Sequence, residues 1–198
     1  MYKILAITNR HLCNNDFLTQ IQNICSLNEK NTVIKSLSIV LREKDLSESD
    51  YKDLAAKVMK ICEKNNTECI LHTYYNVARE LNCKKIHLPL HVLKSKPDIC
   101  KEFDEVGVSI HSVSEAIEAV NLGATYITAG HIFATDCKKD IPPRGLSFLS
   151  SVCSSVNIPV YAIGGISLEN AEKAINAGAY GICIMSGLMN CKDPRVFI

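Results

Sequence analysis

Several things are missing from this chain, and each absence narrows what it can be. Its ten cysteines, at 13, 25, 62, 69, 83, 100, 137, 153, 183 and 191, contain no C-x-x-C pair. Several sit in apolar patterns, as Cys62 and Cys183 do, and read as small buried hydrophobes rather than as a disulfide framework. No apolar run approaches the 18 or so residues of a membrane span, and no signal-peptide pattern follows Met1-Tyr2-Lys3. A reduced, cytoplasmic setting is the expectation. Charge excess is missing too: 22 Lys+Arg against 21 Asp+Glu leave a formal +1, which argues against a broad nucleic-acid surface or a polybasic membrane anchor. With no linker, repeat or low-complexity stretch in 198 residues, one domain spanning 1–198 is expected.

What is present is a steady alternation. Short apolar runs near 3–8, 36–42, 68–73, 85–89, 106–110, 125–130, 159–164 and 181–186 read as strands. Amphipathic stretches near 16–27, 48–65, 76–82, 95–103, 113–122, 146–155 and 168–177 read as helices, with Leu54, Val58, Ile61 and Cys62 on one face of the second. Ser114-Glu115 and Ser167-Leu168-Glu169 open capped helices, and Gly123 and Gly178 close them. Strands and helices alternating in this way require a parallel sheet, and eight uniformly apolar strands fit an α/β fold of the closed (β/α)8 TIM-barrel type. Only Leu188 to Ile198 follow the last strand, so the eighth helix is expected to be short or missing. An apolar flank left that way would face solvent or a partner, and a homo-oligomer, a dimer, is expected.

Two strand ends carry the chemistry. The run Ala124-Thr125-Tyr126-Ile127-Thr128-Ala129 opens into Gly130-His131-Ile132-Phe133-Ala134-Thr135-Asp136-Cys137-Lys138-Lys139, which sets a histidine where a strand meets a polar loop. Val160-Tyr161-Ala162-Ile163 then runs into Gly164-Gly165-Ile166-Ser167, a glycine pair at a helix entry that can hold a phosphate on backbone N–H groups. Position alone leaves both open: His131 reads as a proton-transfer group or a structural histidine, and the glycines as an anion cradle or a turn. Arg42-Glu43-Lys44 reads as an anion site or a solvated strand end. His87 and His91 straddle Pro89 outside any helix, which speaks against a shared metal, and Cys137 reads as an incidental thiol.

In order along the chain, Ala6-Ile7-Thr8-Asn9-Arg10, Leu41-Arg42-Glu43-Lys44, Ile86-His87-Leu88, Gly107-Val108-Ser109-Ile110-His111-Ser112, the glycine-histidine loop and Ala162-Ile163-Gly164-Gly165-Ile166 resemble the thiamin phosphate synthase/TenI superfamily of small barrels. The resemblance implies one of two chemistries. Synthase members join a pyrimidine pyrophosphate to a thiazole phosphate and hold Mg²⁺ with carboxylates. Where those carboxylates stand, this chain has His72-Thr73 and Pro89-Leu90-His91-Val92, and imidazole plus valine do not serve a hard cation.

The Gly130-His131-Ile132-Phe133 loop looks like TenI, whose type of protein is a thiazole tautomerase that aromatises a carboxythiazole phosphate by moving one proton. The resemblance therefore implies an isomerase with His131 as its acid–base group, no cofactor and no metal. It implies a small phosphorylated thiazole as ligand, with Arg42, Lys44, Ser109, Thr135, Lys138, Gly164, Gly165 and Ser186 as substrate- or phosphate-binding residues. Thiamin phosphate synthase is the alternative enzyme, and a silent thiazole- or thiamin-phosphate-binding regulator the alternative from another class.

Overall fold

The computed structural model describes residues 1–29, 33–135 and 138–194. Eight parallel strands follow one another in chain order in a closed barrel, the (β/α)8 class expected from the alternation. They are β1 (Tyr2–Ile7), β2 (Ile34–Leu41), β3 (Glu68–His72), β4 (Lys85–Pro89), β5 (Glu105–Ile110), β6 (Tyr126–Gly130), β7 (Val160–Ile163) and β8 (Gly181–Ile184). The helices are α1 (Phe17–Cys25), α2 (Glu48–Lys64), α3 (Tyr75–Glu80), α4 (Leu90–Ser95), α5 (Val113–Asn121), α6 (Gly145–Ser155), α7 (Leu168–Asn176) and α8 (Ser186–Asn190). Among the described residues no helix is long and apolar enough to cross a membrane. Nine described cysteines are free thiols; Cys62 and Cys183 lie in the core, and burial pushes the Cys183 thiol up. Cys137 and Asp136 lie outside the described residues.

The chain divides into two compact units, Met1–Ile86 with the segment from Ile184 on, and His87–Cys183. In the first, β2 pairs with β1 (Ile7↔Val40) and with β3 (Leu41↔Leu71). Ser47 caps α2 by accepting the Asp50 N–H, and Tyr51, Ala55, Val58 and Cys62 form its buried seam at helical spacing. Leu54 and Ile61 flank that seam at partial exposure, so the apolar face is turned slightly from the one the sequence indicates. The difference comes from Tyr51, whose ring stacks on Tyr74 at 4.1 Å while its hydroxyl donates to the Leu41 carbonyl at 2.6 Å and accepts the His72 N–H at 3.0 Å. A single phenol thus ties the last residue of β2 to the last of β3.

The eighth helix is short, as expected. Its Leu188 and Met189 are buried, and Gln20, fully buried on α1, donates to the Leu188 carbonyl at 2.6 Å and to that of Cys191 at 3.0 Å. Both carbonyls sit where the short helix runs out of intrahelical partners.

The second unit pairs β5 with β6 (Gly107↔Tyr126, Ser109↔Thr128) and β6 with β7 (Gly130↔Ile163). Ser112 caps α5 through the Glu115 N–H, Asn170 accepts the Ser167 N–H at the start of α7, and Gly123 and Gly178 follow the two helices at φ 95° and 103°. The helix expected over 95–103 is two pieces, α4 and a 3-10 turn at Pro97–Lys101. Proline crowds the residue before it out of helical geometry, and Lys96 sits at φ −144°, ψ 67°.

Tyr51→Phe keeps the ring but strands a buried carbonyl and a buried N–H, which costs roughly 1–3 kcal/mol. Urea unfolding is expected to register that loss without a change in m-value; an unaltered midpoint would show that the two strand ends do not depend on this hydroxyl.

Candidate functional site

In the first unit the residues that follow β1 and β2 are organised around Glu43, which is 2% exposed. Its carboxylate accepts from Thr8 Oγ1 at 2.6 Å, from the Arg10 N–H at 3.1 Å and from Arg10 Nη1 at 3.1 Å. Thr8 in turn accepts the Arg42 N–H at 2.9 Å. Glu43 is therefore no solvated strand end; it joins the two loops. The other edge of the Arg10 guanidinium forks onto Asp45 at 2.6 and 2.5 Å, and His11 adds a contact at 2.9 Å. Arg10 and then His11 hold the Asp45 carboxyl below the usual carboxylate range.

Arg42 and Lys44 flank this buried carboxylate. Lys44 is exposed at the surface, yet partial burial of its ammonium and then the nearby Arg42 charge lower its pKa. Two cations near enough to oppose each other, beside carboxylates already occupied by Arg10, favour an incoming anion. Ser186 opens α8 in the same unit and is exposed.

The residues present do not fit a carboxylate-bound Mg²⁺. His72 is buried with Nδ1 bonded to Thr73 Oγ1 at 2.7 Å, and Thr73 sits at φ 69°. In the other unit, His91 is exposed on the first turn of α4, inside a helix rather than outside one, and Val92 is apolar. His87 is 4% exposed with both ring nitrogens in hydrogen bonds, so it does not pair with His91. Among the described residues no group of three or more His, Cys, Asp or Glu is placed to hold a metal ion.

In the second unit the loop after β6 folds back on itself: the His131 carbonyl accepts the Arg144 N–H at 3.0 Å and that of Ile132 the Gly145 N–H at 3.1 Å. His131 is 4% exposed, and its Nε2 donates to the Ile141 carbonyl at 3.1 Å. The glycine pair packs against this loop. A Cβ on Gly164 would lie 2.2 Å from His131 Cβ, and one on Gly165 would lie 2.3 Å from the Ala134 carbonyl oxygen; both have positive φ, at 96° and 65°. Any side chain would push β7 away from the β6 loop. The Gly164 carbonyl accepts the Phe133 N–H and the Gly165 carbonyl accepts Asn170 Nδ2, so both carbonyls of the turn are already bonded.

Ser109 is half-buried on β5 and bonded to His87 Nε2 at 2.8 Å; Thr135 and Lys138 are half-buried, the Lys138 N–H donating to the Thr135 carbonyl at 3.0 Å. Two residues not singled out from the sequence also belong here. His111 ends beside Glu115, and burial, followed by the charge of Lys138, lowers its pKa; Arg144 adds to that effect and stacks over Phe148 at 5.4 Å. Arg144 lies beyond the loop that drew attention, and only the return of its chain to His131 reveals it.

Comparison with known proteins bears on what such a site does. The family model described as thiamine monophosphate synthase matches residues 4–188. A thiamine-phosphate synthase of Clostridium acetobutylicum is 35% identical over 160 residues, covering 79% of this chain and 75% of that protein. One from Fusobacterium nucleatum is 31% identical, covering 98% of this chain and 92% of that protein. Among solved structures, a thiamine phosphate pyrophosphorylase from Pyrococcus furiosus superposes with a TM-score of 0.80 at 24% identity, over 99% of this chain and 91% of that one, a likeness of fold.

These relatives overturn the tautomerase expectation: both carry the synthase name, one of them over 98% of this chain. The acid–base role expected of His131 was tied to that reaction. That expectation rested on His72-Thr73 and Pro89-Leu90-His91-Val92 standing in place of carboxylates and on the loop Gly130-His131-Ile132-Phe133, against which the relatives' names weigh.

Two measurements check this geometry. Glu43→Gln leaves the Arg10 guanidinium facing a neutral amide and is expected to destabilise by roughly 3 kcal/mol or more in urea unfolding, whereas Asp45→Asn leaves the midpoint nearly unchanged; equal effects would contradict the central place of Glu43. A cation bound at a hundred times its Kd stabilises by about 2.7 kcal/mol. Millimolar Mg²⁺ is expected to leave the melting temperature of the ligand-free protein where it was, and a rise of several degrees would reveal a built cation site.

Proposed function

The chain belongs to the thiamine monophosphate synthase family, and from that premise we propose that it is a transferase joining a pyrimidine pyrophosphate to a thiazole phosphate with release of pyrophosphate. The observation that carries the reading is the 31% identity to a thiamine-phosphate synthase over 98% of this chain, which leaves no part of the barrel without a counterpart. The geometry after β2 supports it. Departure of pyrophosphate builds negative charge on the leaving oxygens, and fixed cations aimed at developing charge lower such a barrier.

Arg42 and Lys44 are suited to that work, because Thr8 and Glu43 hold the backbone that carries them and Arg10 has already neutralised the adjacent carboxylates. Ser109, Thr135, Lys138, Gly164, Gly165 and Ser186 are the proposed contacts for the phosphate and pyrophosphate oxygens. No metal held by this chain's own side chains enters the proposal.

Expression in a bacterial strain lacking its thiamine-phosphate synthase tests the reading. Growth without added thiamin is expected from the wild type and is expected to be lost in an Arg42→Ala, Lys44→Ala double variant. A soluble wild-type protein that binds thiazole phosphate yet never restores growth would replace the transferase with a ligand-binding protein.

A further inference from the structure

A polar network runs across three strands of the second unit. Tyr126 on β6 and His87 on β4 are 3% and 4% exposed, and the phenol oxygen lies 3.0 Å from His87 Nδ1. Between them runs β5, and Gly107 pairs in register with Tyr126. A Cβ on Gly107 would stand 2.0 Å from Tyr126 Cζ, 2.3 Å from its hydroxyl and 2.5 Å from His87 Nδ1. The space a side chain would fill is the space through which tyrosine reaches histidine. On the other side of the ring, Nε2 lies 2.8 Å from Ser109 Oγ, and Thr128 Oγ1 donates to the same Ser109 oxygen at 3.2 Å.

A neutral imidazole donates from one nitrogen and accepts at the other. A phenol is a far stronger acid than an aliphatic alcohol, so Tyr126 rather than Ser109 is the better donor to the ring. With Tyr126 donating to Nδ1, Nε2 carries the proton and gives it to Ser109 Oγ. That oxygen then accepts twice, from His87 and from Thr128, and both of its lone pairs are taken. Its own proton is left to point elsewhere, and of these four groups only Ser109 has appreciable solvent access.

We infer that His87 is a positioning residue, locked by Tyr126 across Gly107 into the Nε2–H form, and that it thereby turns the Ser109 hydroxyl into a fixed outward donor for an anionic oxygen of the substrate. The inference rests on reading Ser109 as a substrate contact. It assigns His87 no contact with substrate and no proton transfer. A hydroxyl aimed beforehand loses less freedom on binding than one that must be chosen from its three rotamers.

The test combines a spectroscopic readout with binding of inorganic pyrophosphate to the full chain. In ¹⁵N-histidine-labelled wild type, long-range ¹H–¹⁵N correlations are expected to show His87 neutral with its proton on Nε2, and Tyr126→Phe is expected to move that proton towards Nδ1. By calorimetry, Ser109→Ala and His87→Leu are each expected to weaken pyrophosphate about tenfold. The double variant should be no weaker than Ser109→Ala alone, because the two act through one donor. His87→Gln, whose amide can donate near the Nε2 position, should stay within about threefold of wild type.

Finding the proton on Nδ1 in the wild type overturns the inference, and that measurement needs no variant to fold. Wild-type affinity in His87→Leu with loss in Ser109→Ala overturns the positioning role while leaving Ser109 as a contact. Wild-type affinity in Ser109→Ala overturns it by removing the contact. None of these outcomes depends on thiamine phosphate being made, so failure here and failure of the transferase reading are separable.

Discussion

A carboxylate taken out of water has to be met by donors, and in the first unit the groups that meet Glu43 fix everything that follows β1 and β2. Thr8 donates to it, Arg10 reaches it with backbone and guanidinium, and the Arg42 N–H closes the circuit on Thr8. Removing one partner of such a buried set typically costs several kcal/mol, because the remaining charge is left unanswered. The two loops are therefore joined, and Arg42 and Lys44 flank a residue that is itself almost wholly buried. Tyr51 extends the same logic to β3 by bonding to the backbones of Leu41 and His72 with one hydroxyl.

The second unit meets its buried polar groups differently. A chain of hydrogen bonds runs from Tyr126 through His87 to Ser109 and Thr128, made possible by the bare backbone at Gly107. The glycine pair after β7 uses the same device at the next strand end, giving up side chains so that the β6 loop can lie against it. His131 belongs to that packing, with its Nε2 committed to the Ile141 carbonyl. A histidine at a strand end is a natural candidate for acid–base chemistry, but a ring nitrogen already donating to a backbone carbonyl has first to break that bond.

Periodicity and punctuation made the barrel legible. Alternating apolar and amphipathic stretches gave eight strands in their places, and Ser167 and the closing glycines stand where expected, whereas α5 is capped by Ser112, two residues before the Ser114 read from the sequence. The helix after β4 was placed too late, over 95–103, because Pro97 breaks the pattern there and α4 begins earlier, at Leu90.

The candidate site was legible only as a set of strand ends. Glu43 looks like any charged residue after a strand until Thr8 and Arg10 are brought against it from 33–35 positions away. Gln20, a polar residue on the apolar face of α1, makes sense only with the carbonyls of Leu188 and Cys191, 168 and 171 positions on. The reaction itself was misread because it was judged from a few local departures, His72-Thr73, Pro89-Leu90-His91-Val92 and the Gly130-His131-Ile132-Phe133 loop. Sequence identity spread over nearly the whole chain outweighs a local likeness.

Phosphorus NMR of purified protein mixed with the pyrimidine pyrophosphate and the thiazole phosphate measures the proposed reaction most directly. Loss of the diphosphate ester signals is predicted to be matched one for one by free pyrophosphate and by the phosphate resonance of thiamine phosphate. A spectrum in which a folded, ligand-binding protein leaves both substrates intact, or hydrolyses the pyrophosphate ester without joining the rings, would contradict the account.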